Sequence, residues 1–222
     1  MTLRNFTWKQ IFGLLIGPAF VATMKMLVIS AVVSAVLGFA LGVLLVITEK
    51  GGLMPCPVLN RILDVFVNIV RSFPFIILLV TITPLTILIA GTSIGWQAAI
   101  VPLTFACTPF MARIYQSSLK EVDPALIEAA KAFGASRLQI IFKVMLVEAT
   151  PSIISGLSLS VINLLGCTAM AGTVGAGGLG ATALTYGYQN FNSKIMYSIC
   201  VVLVILVAVI QYFGDWIYRK LK

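Results

Sequence analysis

From Met26 to Thr48 the chain contains no charged residue and almost nothing polar. About 20 such residues in a helix cross the hydrocarbon core of a bilayer. Ser30, Ser34, Gly38 and Gly42 recur at every fourth position of this stretch. That spacing places four small side chains on one stripe, where a second helix can approach closely. Further apolar stretches lie within Leu63–Ala90, Trp96–Met111, Val144–Met170 and Ile195–Phe213. The chain is 60% hydrophobic and 10% charged, against about 25% charged in average soluble domains. A soluble fold could not hide so much apolar surface. The expected class is all-α: a polytopic membrane protein with five core transmembrane helices.

Composition also removes several function classes. Histidine is absent, which excludes Ser-His-Asp and Cys-His triads and the commonest metal ligand. Cys56, Cys107, Cys167 and Cys200 are scattered, with no CxxC pair, and read as small core hydrophobes. No GxxxxGK[ST] sequence occurs, so ATP phosphates have no such loop to bind and the chain reads as a non-enzyme. Gly175, Gly177 and Gly180 formally match GxGxxG. No strand precedes them and no acidic residue follows at the needed distance, so they read as a flexible backbone turn at the membrane face. The net charge of +8 suits cytoplasmic loops and lipid headgroups rather than nucleic acid.

Residues 1–25 carry Arg4, Trp8 and Lys9, then an apolar run interrupted by Pro18. They read as a retained interfacial or partly inserted segment rather than a cleaved signal peptide. A membrane domain over residues 26–218 follows, with a basic tail at 219–222. Pro74 and Pro84 should kink the second span. Arg71 is costly in lipid and should snorkel, pair or face the protein interior, with a structural role preferred to substrate contact. Ser152, Ser155, Ser158, Ser160 and Asn163 on the fourth span suit a wet interior. The distribution of Lys and Arg favours an outer N-terminus and an inner C-terminus.

The longest polar interval runs from Asp123 to Pro151. Asp123 can cap a helix whose first residue, Pro124, lacks an N–H that would be unbonded anyway. Leu126, Ala130 and Phe133 fall on one face at helical spacing. Gly134 supplies the left-handed residue that ends this helix. Ser136 and Gln139 have capping-box spacing and start the next. A short helix outside the bilayer, hinged to a membrane span, is suited to docking a soluble partner.

Glu128-Ala129-Ala130, with Gly134 six residues after the glutamate, resembles the EAA motif of the permease subunits of binding-protein-dependent ABC importers. Where the family pattern continues with isoleucine, leucine and proline, this chain has Val144, Leu146 and Val147; the proline is missing, and Pro151 follows. NIVRSFPFIILLV, GTSIGWQAAIVPLT, EAAKAFGAS and GTVGAGGLG followed by YGYQNFN look like the methionine importer branch. The resemblance implies a type I ABC importer permease fold in a bacterial plasma (inner) membrane. It implies a homodimer around one pathway, two cytoplasmic ABC ATPase subunits that bind ATP and Mg in place of any cofactor in this chain, and an external substrate-binding lipoprotein or periplasmic protein. The family's coupling segment maps onto residues 120–143. Leu126 and Phe133 are the expected anchors, with Glu128, Ala129, Ala130 and Gly134 as the motif residues. Asn163, Thr168 and Met170, near the outer end of the fourth span, are the expected pathway or gate residues.

Other classes fit less well. A channel needs charge rings or carbonyl filters, and a secondary transporter intramembrane acids. Glu148 alone comes near, at a span edge. A scaffold subunit, or an importer of another small amino acid, dipeptide or osmoprotectant, are the alternatives.

Overall fold

The chain is described over residues 7–221 by a computed structural model; Arg4 and Lys222 lie outside them. The described residues form helices and turns with no strand. Helix α1 runs unbroken over Trp8–Ile47, 40 residues. At 1.5 Å per residue it is about 60 Å long, roughly twice the thickness of a hydrocarbon core. The helix continues through Pro18 and across residues 25 and 26. Residues Ile11–Ile16 form a wide π turn in which the Gly17 N–H donates to the Phe12 carbonyl. This turn takes up the mismatch left by the missing proline N–H. Ile11, Ile16 and Ala19 pack against Leu179, Ala183, Ile195 and Ile199. The charge at mid-helix has an aromatic neighbour: Lys25 is exposed, and its Nζ lies 4.8 Å from the centre of the Trp96 ring.

The small-residue stripe forms as expected. Ser30, Ser34, Gly38 and Gly42 are all buried, and they face α5, Trp96–Lys120. The fit leaves no room for a side chain. A Cβ on Gly42 would lie 2.6 Å from Tyr115 Cβ and 2.8 Å from the Ala112 carbonyl oxygen; on Gly38 it would lie 2.8 Å from Met111 Cβ. Gly42→Val is therefore expected to push α1 off α5 and cost about 1–3 kcal/mol, read as a lowered thermal unfolding midpoint in detergent. An unchanged midpoint would mean the helices can separate freely.

The second span departs from the expected single kinked helix. It is three pieces: α2, Pro57–Ser72; α3, Phe75–Thr81; and α4, Thr83–Ala90. Between α2 and α3 the chain bends by 107°. Phe73 precedes a proline and takes extended ψ of 130°, and Pro74 itself has ψ 133°. A residue before proline is pushed out of the helical region, so the helix stops. Pro84 kinks nothing; it occupies the first turn of α4, where its missing N–H is harmless. Among the described residues four helices are long and apolar enough to cross a membrane, or up to five if the bent pair counts as one span.

Helix α6 covers Pro124–Ala132 and α7 covers Arg137–Val174. After α7 comes a tight corner, the short helix α8, Gly178–Thr182, a π turn over Ala183–Gln189, and α9, Ser193–Leu221. The glycine-rich corner is packed rather than flexible. Gly175, Gly177 and Gly178 have φ of +89°, +77° and +80°, values that favour glycine. The Leu179 N–H donates to Thr23 Oγ1 at 2.8 Å, and Leu179 is fully buried. The main core lies among α1, α5 and α7, around Met26, Leu103, Met111 and Leu164.

Candidate functional site

Two places concentrate function-bearing groups: the elbow between α5 and α7, and the space flanking α7 between the ends of the bundle.

The elbow is built by local hydrogen bonds. Asp123 Oδ1 accepts from the Ala125 N–H at 2.9 Å. Gly134 has φ +77°. Its N–H donates to the Lys131 carbonyl, and the Ala135 N–H reaches back to the Ala130 carbonyl, both at 3.0 Å. This paired closure satisfies carbonyls that a helix end would otherwise leave bare. Ser136 Oγ then accepts from the Gln139 N–H, and Gln139 Oε1 accepts from the Ser136 N–H, which fixes the start of α7. With both helix ends capped, the segment is a defined elbow rather than a loose loop.

Its faces are assigned differently from the sequence expectation. Ala130 does not share an outer face with Leu126 and Phe133. It turns inward with Ile127 and Ala135, against the main core. Ile127 was missed; its i, i+3 relation to Ala130 was the available signal. Glu128, Ala129 and Gly134 are exposed. Leu126 is 43% exposed, and Phe133 is 92% exposed. A phenyl ring held almost bare by a capped helix is an unspent hydrophobic contact, since burying such a side chain is worth about 1.5–3 kcal/mol.

Along α7, Asn163, Cys167 and Met170 lie on one face and line a cavity of about 840 Å³ with Arg71, Phe73 and Phe110. Thr168 is not part of it. That residue is 2% exposed and donates to the Leu165 carbonyl at 2.7 Å, on another face of the helix. Towards the elbow a second cavity of about 720 Å³ is bordered by Arg113, Glu121, Glu148, Ser152, Ser155 and Tyr218 among others. Ser158 and Ser160 do not line it; they bond to the carbonyls of Ile154 and Gly156. Arg71 and Phe110 border both cavities. Arg113 is fully engaged: it donates to Asp64 at 2.5 Å, Asn68 at 2.8 Å and Gln116 at 2.6 Å, tying α2 to α5. Among the described residues no cluster of His, Cys, Asp and Glu could hold a metal.

Residues 38–222 match the family described as binding-protein-dependent transport system inner membrane component. The chain is 48% identical over 198 residues to the probable D-methionine transport system permease protein MetI of Vibrio cholerae, covering 89% of this chain and 88% of that protein. It is 42% identical over 174 residues to the methionine import system permease protein MetP of Bacillus subtilis, covering 78% of each. Its structure matches a chain of the inward-facing MetNI methionine ABC transporter with a TM-score of 0.94 and 43% identity, over 98% of this chain and all of that one.

Proposed function

Since this chain belongs to the binding-protein-dependent transport system inner membrane component family, we propose that it is the permease subunit through which a bacterial ABC importer moves methionine. The cargo is taken from the names of its relatives. The observation that carries the mechanism is the elbow: a doubly capped helix with Phe133 and Leu126 held out from the bundle.

In this reading the elbow is cytoplasmic and the glycine-rich corner faces outward. The N-terminus is then outside and the C-terminus inside. Two copies of the chain surround one pathway. A separate ABC ATPase docks under each copy and holds the ATP and Mg; an external substrate-binding protein delivers the cargo. Leu126 and Phe133 fill a groove on the ATPase, and Glu128 meets a basic residue there. Ala129 lets the backbone approach. Asn163 and Met170 form part of the pathway wall. ATP binding draws the ATPases together, the elbows move with them, and rocking of the two halves opens the pathway outward. Hydrolysis resets it.

The test is uptake of radiolabelled methionine into proteoliposomes holding the permease and its ATPase. Uptake is expected only with ATP and binding protein together. Glu128→Lys or Gly134→Pro is expected to reduce co-purification of the ATPase without loss of membrane insertion. Methionine entry that ignores ATP, or normal co-purification of both variants, would count against the reading.

A further inference from the structure

Among the described residues Arg71 is a cation in no ion pair, placed halfway along the bundle. It closes α2 at the sharp bend before α3. The cavity on one side of it runs along α7 from Asn163 to Met170; the cavity on the other side runs from Glu148 to Leu159. Arg71 and Phe110 therefore stand level with the stretch between Leu159 and Asn163, near the middle of the apolar part of α7. Its one directional contact is to an aromatic face: the guanidinium carbon lies 5.7 Å from the centre of the Phe110 ring. Two acids are committed to other cations, and the two that share the second cavity with Arg71, Glu121 and Glu148, form no ion pair with it. Asp64 pairs with Arg113, Glu49 with Lys120, and Glu121 accepts from Ser152. Among the described residues no carboxylate forms an ion pair with Arg71.

A charge at this depth is expensive unless it faces water, a partner group or a permeating solute. An arginine kept for structure would be expected to look like Arg113, held on three sides. Arg71 instead borders two open cavities. We propose that Arg71 is the point in the pathway that receives the carboxylate of the cargo and hands it from one cavity to the other. This rests on the reading of the chain as an amino-acid permease. The fork of a guanidinium matches a carboxylate through two parallel hydrogen bonds. The rest of the cavity suits the remainder of an apolar amino acid: Phe73, Phe110 and Met170 offer soft and aromatic surface for a thioether, and the Asn163 amide offers an acceptor for the ammonium. Arg113, which also borders the second cavity, is already bonded to Asp64, Asn68 and Gln116; one free charged anchor holds a solute weakly, as conduction requires.

The experiment uses the complete transporter in proteoliposomes with its binding protein. Arg71→Gln is expected to lower methionine uptake at least tenfold while the ATPase still co-purifies; Arg71→Lys, which keeps the charge but loses the fork, is expected to fall between Arg71→Gln and wild type. A second variant, Arg71→Cys with Cys167→Ala, is treated after assembly with 2-aminoethyl or 2-sulfonatoethyl methanethiosulfonate. Uptake is expected to recover several-fold with the cationic reagent and not with the anionic one, and Cys167→Ala alone should respond to neither. Wild-type uptake by Arg71→Gln, or equal effects of both reagents, would overturn the proposal. So would loss of assembly in Arg71→Gln, which assigns the arginine to folding. The wild type run in parallel separates the two readings: no methionine import by wild type removes the cargo assignment itself, and the role of Arg71 with it.

Discussion

Replacing Phe133 with alanine is expected to weaken ATPase docking by about 30-fold or more, since anchor residues at interfaces carry roughly 2–4 kcal/mol each. The same change should leave the permease folded and inserted. The ring is 92% exposed, so its removal leaves no cavity inside the bundle. Leu126→Ala should cost less, because that side chain is 43% exposed and offers less free surface. The measurement is a titration of detergent-solubilised permease with purified ATPase. Phe191 provides the control: it is equally bare at 91% exposure, but it lies in the turn before α9, far along the chain from the elbow. Phe191→Ala should leave docking unchanged. If Phe133→Ala binds as tightly as wild type, the elbow does not hold the partner through its ring.

Sequence alone made the elbow readable because its determinants are local. Asp123, Gly134, Ser136 and Gln139 act on backbone groups within a few residues, and such chemistry needs no knowledge of the rest of the fold. The stripe from Ser30 to Gly42 was readable because periodicity reports which face is covered. Proline was the poorer guide. Pro102, Pro109 and Pro151 sit inside continuous helices, Pro18 is absorbed by a π turn, and Pro74 ends a helix outright. Whether a proline bends, breaks or is tolerated depends on which neighbours can satisfy the freed carbonyl, and those neighbours are distant in sequence. Rotation of a helix about its axis was equally hidden. Thr168 and Cys167 are adjacent and both small, yet Cys167 faces the cavity and Thr168 does not. The same uncertainty put Ala130 on the wrong face of α6.

The glycine-rich corner gives the strongest test of packing over flexibility. Gly177 and Gly178 are neighbours with nearly equal φ, +77° and +80°. A side chain on either one meets a backbone penalty; at Gly177, where ψ is −155°, the conformation is one that glycine alone adopts readily, at about 1–3 kcal/mol for another residue. Their surroundings differ. A Cβ on Gly177 would have nothing within 4 Å, whereas on Gly178 it would lie 2.7 Å from Thr23 Oγ1 and 2.9 Å from Met26 Cε. Thr23 Oγ1 is also the acceptor for the buried Leu179 N–H, and a displaced acceptor leaves that donor unsatisfied at about 1–3 kcal/mol. Gly177→Ala is thus expected to lose only the backbone term. Gly178→Ala should lose about 3–5 kcal/mol, among the largest effects a single substitution produces. The loss would be felt at a distance, because this corner fastens α1 to the start of α9 through Leu179, Ile195 and Ile199. Thermal unfolding of the two variants in detergent decides the matter. A Gly178→Ala loss below about 2 kcal/mol would mean that the corner yields to the added methyl, and that a mobile turn is the better description after all.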